Sequence, residues 1–190
     1  MKTDSWILKG MICYSKTKDE LAVLENGYLI CCQGILQGVY PVIPEEFRTL
    51  PLTDYGDALI FPGMADLHLH APQYPFCGLG MDLELLEWLE THTFPEESRY
   101  QSLDYAEQAY TIFTEDLACS PTTRAVIFGT IHTPATKLLM DKLDATNLKT
   151  YVGKVNMDQN CPDCLRESDA VSALEDTKNW LLDTMDAYKN

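Results

Sequence analysis

One run of residues restricts the possible folds of this chain more than any other feature. Residues 125–131, Ala-Val-Ile-Phe-Gly-Thr-Ile, are mostly apolar and rich in β-branched side chains. Such a run is typical of a strand whose two faces are both buried, as in a parallel sheet covered by helices. Helical patterns precede and follow it, so the sequence predicts an α/β fold.

The second half of the chain alternates predicted helices and strands. A strand is expected over 150–155, and helices are expected over 83–91, with Asp82 as N-cap, over 103–118, after Thr133 and over 168–188. On the buried face of the last helix we place Val171, Leu174, Leu181 and Met185, which recur at helical spacing. This alternation is typical of a (β/α) barrel or of a doubly wound sheet.

Residues 1–61 are predicted to form a separate β-rich domain. Strands are expected over 6–14, 21–24, 28–32 and 35–40. Asn26-Gly27 lies between two of them, and this dipeptide favours a hairpin turn because both residues tolerate positive φ. We predict a small β-sandwich or partial barrel here, followed over 62–190 by the barrel-like domain. About sixty residues are marginal for a domain that folds alone.

Charge and cysteine content bound the partners and the compartment. The formal net charge of −15 is poorly suited to nucleic-acid phosphates or to an anionic membrane surface, so neither is an expected partner. No apolar run approaches membrane-spanning length, and the N-terminus lacks a signal-peptide pattern. The seven cysteines are odd in number and unevenly spaced. We therefore expect reduced thiols and a cytoplasmic protein.

Two of the four histidines lie one residue apart, at the end of the predicted strand that follows Pro62-Gly63. On a strand, residues i and i+2 point to the same face, so His68 and His70 project together. Two imidazoles in this arrangement can bind one metal ion, although an ordinary strand with two hydrogen-bonded histidines is an open alternative. A catalytic zinc ion needs at least three protein ligands, which this pair alone does not supply.

The sequence around this pair resembles a known family. Residues 62–70, Pro-Gly-Met-Ala-Asp-Leu-His-Leu-His, are similar to the first metal motif of the amidohydrolase superfamily, Pro-Gly-x-x-Asp-x-His-x-His. Further blocks resemble the guanine deaminases of that superfamily, in family order: residues 71–74, 78–83, 85–89, 93–97, 130–133 and 152–155. The set of blocks is much more specific than His-x-His alone.

The resemblance implies a function and a site. Guanine deaminases hydrolyse guanine to xanthine and ammonia with a zinc-activated water, in purine catabolism and salvage. It implies Zn²⁺ as cofactor with His68 and His70 as ligands, guanine as a small-molecule partner, and often a homodimer. The substrate-contacting loop would comprise His70, Ala71, Pro72 and Gln73. For Asp66 we prefer a supporting hydrogen-bonding role.

The chain is shorter than the resemblance requires. A complete (β/α)₈ barrel takes about 250 residues, and those after His70 are about half of that. We expect an incomplete barrel of three strands, with the remaining zinc ligands and the catalytic proton-transfer residues beyond Asn190. The stretch by itself is then expected to be inactive. Two alternatives stay open: a deaminase of another purine or pyrimidine, and a non-catalytic pseudoenzyme or interaction module.

Several other polar residues receive plainer interpretations. His132 either lines the site or is a histidine satisfied by hydrogen bonds, and Cys161 and Cys164 are expected to be incidental thiols. Core packing is preferred for Trp88 and Phe94, and a surface or core role for His92. A solvated surface is the expectation for the acidic run Glu84, Glu87, Glu90, Glu96 and Glu97.

Overall fold

The computed structural model describes residues 4–188. The chain divides into two compact units, Met1–Pro62 and Gly63–Asn190. Within the described residues, no helix has both the length and the apolar composition that crossing a membrane demands.

The first unit is built around one four-stranded sheet. Its strands are β1 (Trp6–Ser15), β2 (Leu21–Cys32), β3 (Ile35–Tyr40) and β4 (Leu52–Ile60), with a short 3₁₀ turn at Glu45–Phe47. The strand order is β3-β2-β1-β4, antiparallel except for the parallel pair of β1 and β4. Ile7, Ile12 and Ile30 are the most buried isoleucines of this sheet. A second layer, as a β-sandwich requires, stays a prediction.

The prediction of a hairpin turn at Asn26-Gly27 was wrong. Both residues lie inside β2, which runs on as one strand, and the register against β1 shifts beside them. The positive φ of Asn26, 52°, serves a bulge instead of a turn. The turn between β2 and β3 falls at Gln33-Gly34, where both residues have positive φ and Cys32 pairs with Ile35.

The second unit alternates strands and helices as predicted. Its strands are β5 (Met64–His70), β6 (Thr122–Phe128) and β7 (Lys149–Gly153), and they pair in parallel in the order β5-β6-β7. The main helices are α1 (Leu85–Trp88), α2 (Phe94–Ser98), α3 (Leu103–Ala118), α4 (Thr133–Asp144) and α5 (Ala170–Thr184). The short 3₁₀ segments are Ala71–Phe76, Arg99–Gln101 and Asp163–Leu165. The bounds of α3 are those that the sequence predicts.

The core of this unit lies between the sheet and its helices. Ala125 and Ile127 of β6 are buried against the helices, whereas Val126 and Phe128 on the other face are half-buried. The apolar run suggested a strand that continues to Ile131, but the strand ends at Phe128. The core side chains include Tyr100, Tyr110, Phe113, Leu139 and Leu143.

The helix predicted over 83–91 begins later and extends further. It starts after Glu84, without a side-chain cap from Asp82, and continues through a π-helical turn, Leu89–Thr93, into α2. Pro95 does not end it: this proline follows directly on the π-helical turn, at the start of α2. Short π-helical turns are frequent at functional sites.

The buried face predicted for the last helix was wrong. In α5 the buried residues are Ala173, Trp180 and Thr184. The side chains that were expected inside are half or more exposed in the structure: Val171, Leu174, Leu181 and Met185. The helix carries two apolar stripes at helical spacing, and periodicity alone does not say which one packs on the core.

Candidate functional site

Strand β5 brings the two histidines together at its C-terminal end. His70 pairs with Phe128, the last residue of β6, so both strands end at the same edge of the sheet. Gly63 permits this close pairing, since a Cβ there would lie 2.1 Å from Cγ2 of Thr123 on β6. The backbone N–H of His68 donates to Oδ1 of Asp66 at 3.1 Å, a local contact along the strand, and a supporting role of Asp66 at a metal site stays a prediction.

The rings of the two histidines and Phe128 form one cluster. The His68 and His70 ring centroids are 5.1 Å apart at 60°, and His70 stacks on Phe128 at 4.7 Å. His68 is exposed, whereas His70 is half-buried. Burial, and then the neighbouring His68, lowers the pKa of His70 below its usual 6.5. Neutral imidazole is the form that binds metal ions, so the lowered pKa favours ligation near neutral pH.

An open cleft begins at this pair. His68, His70 and Gln73 line it together with apolar side chains from the segments that follow, among them Phe76, Met81, Leu85, Trp88 and Leu89. The indole N–H of Trp88 donates to the Leu79 carbonyl at 3.2 Å, so this ring is held in the cleft wall. A few polar groups within an apolar wall are typical of small-molecule sites.

The loop that follows His70 has a mixed character. The chain enters a 3₁₀ turn at Ala71, and the side chains of Ala71 and Pro72 are buried. Their burial fixes the turn and leaves Gln73, which is half-buried, on the cleft. A contact of Ala71 or Pro72 with a substrate stays a prediction.

Glu97 was wrongly assigned to a solvated acidic surface. It is only 3% exposed, and its Oε1 accepts a hydrogen bond from Nε2 of Gln73 at 3.3 Å. Its neighbour Glu96 is also largely covered and accepts from the Tyr105 hydroxyl. The buried spacing of Thr93, Glu97 and Tyr100, at i, i+4 and i+7, is the sequence signal that marks this inner helix face.

We predict that Glu97 makes stability depend on pH. Burial raises its pKa from 4.5 to about 7, against a smaller lowering by Gln73. A carboxyl with a raised folded-state pKa loses stability as pH rises from the unfolded value through the folded one. The free energy of unfolding should therefore fall by about 3 kcal/mol from this group between pH 4.5 and 8.

Urea denaturation at pH 4.5 and pH 8 measures this loss of stability. The E97Q variant, which has no titrating group at this position, should lack this component of the decrease. An equal decrease in wild-type protein and E97Q would show that Glu97 is not its source.

The histidine pair fits two positions of a metal site. Across residues 4–188 no group of three or more His, Cys, Asp or Glu side chains is arranged to hold a metal ion. The pair presents two imidazoles on one face, as two ligands of a shared metal would, and the lowered pKa of His70 favours its neutral, metal-binding form. A complete ligand set is not present in the part of the chain that the structure describes.

The remaining candidates lie apart from the cleft lining. His132 precedes α4, and its Nε2 is buried without a hydrogen-bonding partner among the described residues. Burial, and then Lys154, lowers its pKa. Cys161 is buried and Cys164 is exposed, both as free thiols, and a functional role for either stays untested.

Comparisons with known proteins agree with this arrangement. The amidohydrolase family profile matches residues 59–186. Guanine deaminase from Escherichia coli K12 is 37% identical over 155 residues, which cover 78% of this chain and 34% of that protein. Guanine deaminase from Homo sapiens is 48% identical over 117 residues, which cover 62% of this chain and 25% of that protein.

A solved structure extends the similarity to nearly the whole chain. The crystal structure of guanine deaminase from C. acetobutylicum, with bound guanine in the active site, matches with a TM-score of 0.88 and 38% identity. The match covers 97% of this chain and 44% of that one, so this chain spans less than half of the relative.

These findings confirm the α/β class, the incomplete (β/α) barrel and the resemblance to guanine deaminases. Family membership also supports a metal cofactor. The chain belongs to the amidohydrolase family.

Proposed function

We propose that this chain supplies the first part of the active site of a guanine deaminase, which hydrolyses guanine to xanthine and ammonia. One observation carries the proposal: His68, His70 and Gln73 lie on a single cleft at the C-terminal end of a parallel strand. In barrel enzymes this end of the strands holds the active site. The similarity to guanine deaminases over 117 to 155 residues supports the same activity.

His68 and His70 would hold a zinc ion as two of its ligands. The chemistry that zinc supplies when bound is the activation of water near neutral pH. The water oxygen replaces the amino group on C2 of guanine, and the nitrogen leaves as ammonia. The stacked ring of Phe128 restricts the orientation of His70, which keeps the imidazole in place for ligation.

Gln73 would bind the base. Its amide both donates and accepts hydrogen bonds, as do the edges of a purine. The apolar wall beside it, from Phe76 to Leu89, offers faces on which a flat ring can pack. Binding of the ring between apolar walls and one polar amide fixes its orientation relative to the histidine pair.

The test uses the protein expressed from the natural reading frame that contains this chain. After zinc loading, ammonia release is measured from guanine, adenine and cytosine. We expect turnover of guanine and little of the other two bases. Good turnover of adenine or cytosine without guanine turnover would favour the second candidate, a deaminase of another base. Zinc loading without turnover of any base would favour a non-catalytic module.

A further inference from the structure

We propose that Glu97 is a positioning residue, which fixes the amide of Gln73 so that its carbonyl oxygen faces the base. The inference rests on the proposed function, because it concerns the same cleft. Glu97 does not line the cleft, so it acts on the substrate only through Gln73. No other hydrogen bond holds either side chain among the described residues.

Burial of the Glu97 carboxyl costs the fold stability. Its Oε2 is buried and has no hydrogen-bonding partner in the described part of the chain. A carboxyl in such a place destabilises a fold, whereas a leucine of similar size would pack there without that cost. The hydroxyls of Tyr100 and Tyr110 are likewise buried and make no hydrogen bond to it. Its one polar contact is the hydrogen bond with Gln73, so we assign the role of Glu97 to that contact.

The contact between Glu97 and Gln73 has a fixed direction, with the amide as donor. Above the raised pKa of its carboxyl, Glu97 is ionised and its oxygens only accept, so the Gln73 amide turns its NH₂ group toward Glu97. The carbonyl oxygen at the other end of the amide is then directed away from Glu97. A glutamine without such a partner can rotate by 180° and exchange donor for acceptor. The hydrogen bond to Glu97 disfavours this rotation of the Gln73 amide.

A fixed acceptor matches the chemistry of the proposed substrate. Guanine carries N–H donors on its ring, and a carbonyl oxygen in the cleft can accept from one of them. A flipped amide would instead present N–H groups to that donor, which leaves both unpaired at a cost in affinity. Glu97 thus determines whether Gln73 attracts or repels this edge of the base.

The test is a double-mutant cycle with Glu97→Leu and Gln73→Leu in the protein from the natural reading frame. At pH 8, E97L should raise KM for guanine about tenfold and change kcat by less than about twofold, the loss of one well-oriented hydrogen bond. In the Q73L background, E97L should change KM no further, since its effect passes through Gln73. The melting temperature of E97L at pH 8 should equal or exceed that of the wild type.

Four results would overturn the inference: an unchanged KM in E97L, a fall in kcat alone, a lower melting temperature that accompanies lost activity, or the same KM increase in both backgrounds. Should E97L not fold, E97Q replaces it. E97Q is then expected to raise KM by about twofold to fourfold in the wild-type background and not at all in the Q73L background. A wild-type protein inactive on guanine defeats the proposed function; the cycle is then run on the base it does use. A protein that uses no base defeats both.

Discussion

His70→Ala is expected to remove the bound metal and to lower kcat/KM for guanine by at least about 10³-fold, which corresponds to about 4 kcal/mol of transition-state stabilisation. The reason lies in the geometry at the end of β5. His70 stacks on Phe128 and faces His68 at 5.1 Å, so one truncation takes away half of the imidazole pair. A water molecule without a bound metal is a poor nucleophile near pH 7.

The measurement combines metal content with ammonia release in the protein from the natural reading frame. His92→Ala is the matched control, because the His92 ring bonds its own helix neighbour Thr91 at 2.8 Å and does not line the cleft. The control should keep both metal and activity. Full metal content and full turnover in H70A would contradict the assignment of His70 as a ligand.

Lys154→Met is expected to destabilise the fold by about 3–5 kcal/mol, the typical cost of breaking a buried ion pair from one side. The Lys154 side chain is 1% exposed, and its Nζ lies 2.7 Å from Oε1 of Glu167, which is 10% exposed. The same Nζ also donates to the Val155 carbonyl and to Oδ1 of Asn156. All three N–H groups of the ammonium are thus engaged, and the variant leaves Glu167 buried and without its cation.

The surrounding loop depends on the same pair. Oε2 of Glu167 accepts from the Met157 backbone N–H at 2.7 Å, and the Glu167 N–H donates to the Met157 carbonyl at 2.8 Å. The pair therefore ties the segment after β7 to the residues just before α5. A double variant, K154M with E167L, should be more stable than K154M alone, because it removes both buried charges.

Urea denaturation at neutral pH gives the three free energies of unfolding. Lys137→Met is the control, since its ion pair with Asp183 has the same 2.7 Å length but is much more exposed, at 36% and 61%. An exposed pair contributes less than about 1 kcal/mol, so the control should change stability little. Similar losses in K154M and K137M would show that burial of the Lys154 pair is unimportant.

The sequence determined those features that depend on local spacing. The period of two along β5 places His68 and His70 on one face, and their rings do meet in the structure. The helix predicted over 103–118 has the same bounds in the structure, Leu103–Ala118. The motif from Pro62 to His70 identified the family, because its backbone and ligand demands are met by particular residue types in a fixed order.

Other features were decided only by the tertiary structure. Asn26 has a local preference for positive φ, but whether that preference makes a turn or a bulge depends on the partner strand. Helix α5 has two apolar stripes, and contacts with the rest of the unit select the one with Trp180. In the sequence, Glu97 is one charge among several acidic residues. In the folded chain, Gln73, 24 positions earlier, places its amide against the Glu97 carboxyl. Backbone preferences act between near neighbours and are visible in a sequence, whereas burial and side-chain pairing arise between residues that only folding brings together.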